Sequence, residues 1–331
     1  MKKKVAFYYD IVFLGGVEHA ILTLLKKLYK DYEIFVIYGD ETSNEDMLKR
    51  YSAYSTVMPL RVADIDVDSC ICGSKIDVDI FTKKVRAKKY YAWIHAIMFQ
   101  TYENVSYSSR YQNIMDKFIC VSNSVREDIL SVYPELENKC IVVKNYIDLL
   151  EIEKKANADI DIKVHKDSLN IITVARLSEE KGFHRIKALV DIFNKKNIKY
   201  TWYVLGAAYT KEAETKIKGL FSKNDNVIFL GYKENPYTYI KEMDYLALLS
   251  DIEAWGLVIS EALALKIPCI VTEFKEAYSQ INESNGIILP MSIITYKDYL
   301  GQICDRKFNI KNTNIIKARN REIMLEWKGI L

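Results

Sequence analysis

The chain has 331 residues, of which 50% are hydrophobic and 27% are charged, and its formal net charge is +3. This length is more than one hydrophobic core usually holds and fits two domains of ordinary size. The small net charge gives no reason to expect a nucleic-acid partner, and no run of 18 apolar residues predicts a membrane-spanning helix.

The N-terminus is interpreted as a first β-strand rather than as a secretion signal. A short run of lysines precedes an apolar segment, but Asp10 and Glu18 follow closely and no small-residue cleavage site is evident. The six cysteines are scattered and lie mostly in apolar runs, which is typical of reduced cysteines in a cytoplasmic protein. No paired Cys or His spacing predicts a metal site.

Apolar, strand-like runs alternate with amphipathic, helix-like segments along the whole chain. Such alternation predicts parallel sheets with helices on both faces, which is a doubly wound α/β fold. In the first half, the pattern predicts helices at 17–30 and 122–132 and strands at 4–9, 33–38, 69–72, 90–94, 117–121 and 140–143. In the second half, it predicts helices at 183–195, 210–222, 235–242 and 257–265 and strands at 169–174, 200–205, 226–230, 244–249, 267–271 and 286–289.

The polar segment 149–168 has weak apolar periodicity and divides this alternation in two. It is predicted to be the hinge together with the lead-in to the second domain, with an N-terminal domain at 1–150 and a second domain at 151–312. Residues 313–331 are predicted to form a helix that packs back on the first domain. Two such domains would face a cleft, with ligands at the carboxyl ends of their strands.

Two segments of the first half are candidates for ligand contact. Gly15 and Gly16 follow the first predicted strand and precede a helix, so the backbone there can approach a ligand. An ordinary tight turn explains them equally well, and they lack the GxGxxG spacing of dinucleotide-binding proteins. The predicted strand 90–94 is followed by His95 at a sheet edge, where a lone histidine is more often structural than functional.

A basic segment precedes this histidine and contains Lys83, Lys84, Arg86, Lys88 and Lys89. It is predicted to be either a solvated helix face or a patch that contacts an anionic membrane surface. At such a surface, each Lys or Arg contributes about 1 kcal/mol of binding free energy.

In the second half, Arg176 and Lys181 flank a short loop between the predicted strand 169–174 and the next helix. Both cations can converge over the carboxyl edge of the sheet, where they would stabilise the negative charge that develops on a leaving diphosphate. A solvated loop with two surface cations is the alternative. Gly206 and Gly231 follow the next two predicted strands.

Two glutamates eight positions apart, Glu253 and Glu261, mark the most informative segment of the chain. It runs from a buried strand through a polar loop and Gly256 into a helix. A helix N-terminus suits a phosphate because its first amides are unpaired and its dipole is positive there. Glu261 could accept hydrogen bonds from a pair of sugar hydroxyls, and Glu253 from hydroxyls at the other end of the ligand. A buried helix with one solvated acid at each end explains the spacing equally well.

Together these motifs resemble those of the retaining glycosyltransferases of family four. The resemblance rests on the Gly-Gly-x-Glu segment at 15–18, the Arg-Leu and Glu-Lys-Gly residues within 176–182, the Trp-Ile-His run at 93–95 and the paired glutamates. It covers nearly the whole chain and is strongest over 171–290. The chain departs from the family pattern at Tyr146, at Leu265-Lys266 and around 274–276, so sugar and acceptor specificity do not transfer.

The resemblance implies a GT-B fold of two Rossmann-like domains and a retaining transfer of a sugar from a nucleotide-sugar donor. The Asn235-Pro236-Tyr237 run favours a UDP-sugar. The implied acceptor is a glycan or lipid-linked glycan, as in bacterial cell-surface polysaccharide or glycoconjugate synthesis. Implied catalytic residues are Arg176, Lys181, Glu253 and His95. Implied donor-binding residues are Glu261, Gly256, Leu257, Val258, Gly15, Gly16, Gly206, Gly231 and Tyr232.

No nucleophile stands out, and the resemblance implies front-face substitution in which the leaving phosphate deprotonates the acceptor. Neither a metal nor another cofactor is expected, although Asp64, Asp66 and Asp68 form the Asp-x-Asp pattern that metal-dependent glycosyltransferases of another fold use. Two alternatives stay open: a sugar-nucleotide isomerase of the same fold, such as a 2-epimerase, and a non-catalytic paralogue that partners an active enzyme. The expected location is the cytoplasm, at the inner face of the cell membrane if the basic segment binds lipid.

Overall fold

The structure, a computed structural model, describes residues 2–99, 106–305, 308, 310 and 314–331. It divides into two compact units, the first comprising Met1–Tyr146 with Arg319–Leu331 and the second comprising Ile147–Ala318. The predicted boundaries at 150/151 and 312/313 lie four and six residues from these divisions. The C-terminal helix, Asn314–Ile330, crosses the second division and belongs to the first unit from Arg319 onward.

Seven parallel strands form the sheet of the first unit: β1 (Lys4–Tyr9), β2 (Glu33–Tyr38), β3 (Thr56–Pro59), β4 (Ile65–Cys72), β5 (Val85–Ile94), β6 (Met115–Cys120) and β7 (Cys140–Val142). Their order in the sheet is β3-β2-β1-β4-β5-β6-β7. The connecting helices are α1 (Gly16–Leu28), α2 (Glu45–Ser52), α3 (Val78–Lys84), α4 (Ser109–Ile114) and α5 (Asn123–Val132).

Six parallel strands form the sheet of the second unit: β8 (Leu169–Val174), β9 (Tyr200–Leu205), β10 (Val227–Gly231), β11 (Tyr245–Leu248), β12 (Cys269–Thr272) and β13 (Gly286–Leu289). Their order is β10-β9-β8-β11-β12-β13. The helices are α6 (Leu149–Ala156), α7 (Phe183–Lys195), α8 (Lys211–Lys218), α9 (Tyr237–Ile240), α10 (Leu257–Ala264) and α11 (Leu300–Asp305). Short 3-10 helices of the chain lie at Leu60–Val62, Pro134–Leu136, Glu179–Lys181, Ala277–Ser279 and Ile293–Tyr299.

The strands form because their apolar residues can be buried on both faces of a sheet. In β11, Leu246 and Leu248 pack into the core on one face, together with helix α10. The alternating residues Tyr245 and Ala247 pack into the core on the other face, together with helix α7. A strand with two buried faces appears in the sequence as a continuous apolar run, since successive side chains point to opposite sides. The predicted doubly wound α/β fold is therefore confirmed for each unit.

The structure differs from the sequence predictions at three strands of the first unit. Strand β3 was not predicted, and β4 and β5 begin earlier than the predicted strands 69–72 and 90–94. The segment 149–168, predicted to combine a hinge with the lead-in to the second domain, begins with helix α6, whose residues Ile152 and Ala156 are buried in the core of the second unit.

The basic segment is also corrected, because its five cations do not lie on one helix face. Lys83 and Lys84 end helix α3, whereas the other three lie on strand β5. Arg86 pairs with Asp64 and Asp66 of the neighbouring chain segment, with nitrogen–oxygen distances of 2.8 Å for both pairs. Lys88 of β5 pairs with Asp68 of the adjacent strand β4, with a nitrogen–oxygen distance of 2.6 Å. The Asp-x-Asp residues thus engage cations of the chain itself.

The C-terminal helix is anchored to the first unit by Trp327. This side chain is 1% exposed, and its ring meets that of Trp93 edge-on, with 4.9 Å between the ring centroids. The Tyr91 hydroxyl also donates a hydrogen bond of 2.9 Å to the carbonyl of Ile330. The helix therefore covers strand β5, which carries Tyr91 and Trp93.

Trp327→Ala should lower the free energy of unfolding of the first unit by about 3–5 kcal/mol, since it removes a fully buried aromatic side chain. Hydrogen exchange measured along a urea titration separates the two units. First-unit peptides should lose protection at lower urea, with second-unit peptides unchanged. Leu325→Ala, on the same helix but 71% exposed, is the matched control. Equal effects of both substitutions would contradict the anchoring role of Trp327.

Candidate functional site

The strand order of the second unit places a crevice at one edge of its sheet. The chain moves outward from β8 to β9 and β10, then returns to add β11 on the other side of β8. In such a sheet, the loops after the two central strands diverge and leave a ligand-binding crevice at the carboxyl edge. The loop after β8 carries Arg176 and Lys181, and the loop after β11 carries Glu253. The predicted residues therefore lie where the topology favours binding.

Gly182 allows these two loops to approach each other. Its φ angle is +69°, and a Cβ atom at this position would lie 1.8 Å from the carbonyl oxygen of Leu249. Any other residue would combine a strained backbone with this overlap. Gly256, with a φ of +73°, similarly turns the chain into helix α10. Both glycines are required by the backbone that surrounds the crevice.

Lys181 and Glu253 form an ion pair across the crevice loops. The Lys181 ammonium donates to the Glu253 carboxylate at 2.8 Å, and the Ser250 hydroxyl donates to the same oxygen at 2.7 Å. The two side chains are only 20% and 13% exposed. A mostly buried pair with an additional hydroxyl donor has a defined geometry. The sequence predicts that Lys181 contacts the diphosphate and that Glu253 contacts the sugar. The structure brings these two side chains into direct contact.

Arg176 is held by its own loop. Its guanidinium donates to Glu180 at 2.6 Å, and the Ser178 hydroxyl donates to the same carboxylate oxygen at 2.6 Å. Burial opposes the ionisation of Glu180, but the hydrogen bonds from Ser178 and Arg176 outweigh it and lower its pKa. The guanidinium also lies 4.6 Å from the ring centroid of Tyr209, a cation–π contact. Sequence reasoning missed Tyr209, because no motif marks its loop.

A second arginine, Arg185, was also missed by the sequence analysis and joins helix α7 to the loops after β11 and β13. It is buried on helix α7, donates to the Leu249 carbonyl at 3.3 Å and to Asp251 at 2.5 Å, and reaches the Met291 carbonyl at 3.1 Å. The position of Arg185 among the apolar residues of helix α7 is the sequence feature that could have revealed this residue.

Glu261 lies in the second turn of helix α10, close to Tyr237. The Tyr237 hydroxyl donates to the Glu261 carboxylate at 2.9 Å. Burial raises the pKa of Glu261, while this hydrogen bond and the charge of Lys155 act in the opposite direction. The sequence included Tyr237 in a donor-related run but did not indicate this contact.

The predicted phosphate-supporting amides lie at the start of helix α10. Gly256 is its N-cap and has no side chain to cap the helix, so the amides of Leu257 and Val258 have no partner within the helix. Trp255, just before it, is buried, and its indole donates to the Ser260 hydroxyl at 3.3 Å. This contact fixes the entry of the chain into the helix.

The remaining donor-binding predictions of the second unit lie after the outer strands. Gly206 follows β9, and its amide donates to the carbonyl of Gly231, the last residue of β10, at 2.9 Å. Tyr232 comes next and is exposed. These residues lie at the same carboxyl edge as the crevice, because all strands of the sheet are parallel.

In the first unit, Gly15 and Gly16 lie at the junction of the β1–α1 loop with helix α1, which begins at Gly16. Gly15 is the N-cap, and the loop is closed by the carboxylate of Glu18, which accepts from the Phe13 amide at 3.1 Å. Burial raises the pKa of Glu18. In this sheet the chain likewise changes sides between β1 and β4, so the glycine loop lies at a switch point.

His95 follows the last residue of β5 in the first unit. Its ring lies against Trp93, with 4.3 Å between the ring centroids, and its Nε2 atom is buried with no hydrogen-bond partner among the described residues. Burial lowers the pKa of this imidazole to about 3, so the ring is neutral at physiological pH. A neutral imidazole with an unpaired nitrogen can donate to or accept from a ligand hydroxyl, and the predicted role of His95 stays a prediction.

The part of the chain that the structure describes contains no group of three or more His, Cys, Asp or Glu side chains arranged to hold a metal ion. Over the same residues, no helix has both the length and the apolar character needed to cross a bilayer.

Comparison with known proteins shows that the second unit is similar to glycosyltransferases. Residues 155–319 match the family model described as "Glycosyl transferases group 1". An N-acetylgalactosamine-N,N'-diacetylbacillosaminyl-diphospho-undecaprenol 4-alpha-N-acetylgalactosaminyltransferase of Campylobacter jejuni is 26% identical over 155 residues, covering 47% of this chain and 40% of that protein. The capsular polysaccharide biosynthesis glycosyltransferase CapM of Staphylococcus aureus is 26% identical over 180 residues, covering 52% of this chain and 47% of that protein. The matches span half or less of the length of these curated relatives.

The fold matches those of solved glycosyltransferases over the whole chain. The crystal structure of Anabaena Alr3699/HepE in complex with UDP and glucose superposes with a TM-score of 0.72, at 15% identity, and covers 99% of this chain and 100% of that one. The predicted GT-B fold is therefore confirmed. Within the second unit, the similarity to the family described as "Glycosyl transferases group 1" extends over residues 155–319.

Proposed function

We propose that this protein is a retaining glycosyltransferase that moves a sugar from a nucleotide-sugar, with UDP as the favoured nucleotide, to a glycan or lipid-linked glycan acceptor. The observation that carries the proposal is the Lys181–Glu253 ion pair at the topological switch point of the second sheet. In this pair, the Lys181 ammonium is suited to bind a diphosphate, and the Glu253 carboxylate is suited to accept hydrogen bonds from sugar hydroxyls. Helix α10 begins four residues after Glu253 and brings the amides of Leu257 and Val258 to the same edge.

In the proposed reaction, the bond between the donor sugar and the diphosphate breaks while the acceptor oxygen bonds to the same sugar carbon. The acceptor proton passes to the leaving phosphate oxygen. Arg176 and Lys181 would stabilise the charge that grows on the diphosphate, and Glu253 would hold the sugar hydroxyls. Glu261 would hold the ribose. The diphosphate would take the place of Glu180 on Arg176 and share Lys181 with Glu253.

The names of the relatives support this proposal. One relative transfers N-acetylgalactosamine to a diphospho-undecaprenol-linked sugar, another acts in capsular polysaccharide biosynthesis, and HepE was crystallised with UDP and glucose. By analogy we propose cell-surface polysaccharide or glycoconjugate synthesis as the process and the cytoplasm as the location.

The test is a transfer assay with a panel of UDP-, GDP- and ADP-sugars and polyprenyl-diphosphate-linked sugars as acceptors. The expected result is acceptor-dependent release of the nucleoside diphosphate, and NMR of the product should show the anomeric configuration of the donor. Conversion of the donor without any acceptor would indicate a sugar-nucleotide isomerase. Activity that appears only on addition of a second glycosyltransferase would indicate a non-catalytic partner. An inverted product would exclude the retaining mechanism.

Arg176→Ala and Lys181→Ala should each lower kcat by about 10²-fold and weaken donor binding less, because the charge they face is larger in the transition state than in the bound donor. Steady-state kinetics over donor concentration, with donor Kd measured separately, gives both quantities. Lys187→Ala, on helix α7 and paired with Asp191, is the control. Loss of affinity alone, with full kcat at saturating donor, would make the two cations ground-state binders.

We also propose that the basic segment provides a weak peripheral contact with an anionic membrane. Arg86 and Lys88 are neutralised by aspartates, whereas Lys83, Lys84 and Lys89 have no ion pair among the described residues. At about 1 kcal/mol for each unpaired lysine, the contact would be modest and sensitive to salt.

Sedimentation with phosphatidylglycerol vesicles should therefore show binding at low salt and release at high salt. Changing Lys83, Lys84 and Lys89 to Gln should abolish this binding, because those cations are unpaired. The matched control, in which Arg86 and Lys88 become Gln, should change it little. Wild-type protein that stays in the supernatant at low salt would leave the segment as a solvated surface.

A further inference from the structure

Tyr237 is placed to control how Glu261 meets a ligand. It is the first residue of helix α9, and its side chain is buried. Its hydroxyl donates to Oε1 of Glu261 at 2.9 Å. Helices α6, α9 and α10 pack against one another, so both side chains are held by regular structure rather than by loops. The carboxylate orientation is thereby fixed from the protein side.

The contact with Tyr237 leaves a defined set of acceptor positions on the carboxylate. Each carboxylate oxygen can accept two hydrogen bonds. Tyr237 uses one of those on Oε1, and Oε2 has no hydrogen-bond partner among the described residues. The free positions on the two oxygens lie side by side, about as far apart as the hydroxyls of neighbouring sugar carbons. The arrangement suits a vicinal diol.

Tyr237 also supports the ionised form of Glu261. Burial raises the pKa of this carboxyl, and the Tyr237 hydrogen bond and the Lys155 charge lower it. The other titratable groups on helices α6 and α9 are Glu151, Glu153, Lys154 and Tyr239, with Asp148 at the N-cap of α6. The charges of Glu151 and Asp148 act on Tyr237. Only the ionised carboxylate accepts hydrogen bonds at every position, so Tyr237 favours the form that binds hydroxyls.

We propose that Tyr237 is a positioning and specificity-determining residue that orients Glu261 to accept hydrogen bonds from the vicinal ribose hydroxyls of a nucleoside diphosphate. This inference deepens the proposed function and rests on it.

The experiment compares the binding of UDP and 2'-deoxy-UDP by isothermal titration calorimetry. The wild type should bind UDP more tightly than 2'-deoxy-UDP. Tyr237→Phe should weaken UDP binding by about three- to tenfold and 2'-deoxy-UDP binding by less. This range corresponds to the interaction free energy that is usual between two residues of one hydrogen-bond network. Tyr239→Phe is the matched control, because its hydroxyl on the same helix donates to Asp161 instead. It should leave both affinities unchanged.

A pH series separates orientation from a merely structural effect. Removal of the Tyr237 hydrogen bond raises the pKa of Glu261 further, so Tyr237→Phe should lose UDP affinity at a higher pH than the wild type as the pH falls. Ionisation of the UDP phosphates is common to both proteins and cancels. Glu261→Gln, which removes the titrating group, should abolish the difference between the two pH profiles when combined with Tyr237→Phe.

An unchanged UDP affinity and pH profile in Tyr237→Phe would overturn the inference. Equal weakening of UDP and 2'-deoxy-UDP would also overturn it, since Tyr237 would then act elsewhere than at the ribose. If Tyr237→Phe fails to fold, Glu261→Gln alone still decides, because an unchanged preference for UDP over 2'-deoxy-UDP removes Glu261 from the ribose. UDP binding without sugar transfer would contradict the proposed function alone. A wild type that binds no UDP, GDP or ADP would overturn both.

Discussion

The close approach of Gly182 to the carbonyl of Leu249 is the constraint on which the site of the second unit depends. It brings the loop after β8 against the loop after β11, the two loops that the strand order sends in opposite directions. Arg185 strengthens this junction from helix α7 by donating to the same carbonyl. Because the backbone is fixed in this way, Lys181 and Glu253 can meet although they are 72 positions apart.

The parts of the fold that could be predicted from the sequence are those buried on both faces. Strands such as β8 and β9 appear as continuous apolar runs, and their predicted bounds, 169–174 and 200–205, agree with the structure. Strand β3 could not be recognised, because it is short, lies at the sheet edge and is only half-buried. The first half of β4 contains Asp66 and Asp68, which pair with Arg86 and Lys88 in the first half of β5. These charged residues interrupt the apolar pattern that would otherwise mark the two strands.

The positions of the candidate site residues could be predicted where a residue lies next to a recognisable strand or helix. Arg176, Lys181 and the two glutamates stand at strand ends or helix starts, and sequence alone places such positions at a carboxyl edge. Their partners could not be predicted, because each comes from a different segment. Tyr209 reaches Arg176 from the loop after β9, and Tyr237 reaches Glu261 from a helix 24 positions earlier. These contacts arise from packing between elements, which leaves no periodic or motif signal.

Arg176 and Lys181 form ion pairs with two carboxylates of the chain itself, Glu180 and Glu253. These ion pairs affect which anions can bind at the two cations. An incoming anion must exchange with a tethered carboxylate, whose effective concentration is roughly millimolar or more. Inorganic phosphate or sulfate offers only its own charge in that exchange. A larger ligand also gains contacts away from the cations, and these contacts tip the exchange in its favour. The built-in carboxylates would therefore disfavour small anions relative to a ligand that also contacts other residues.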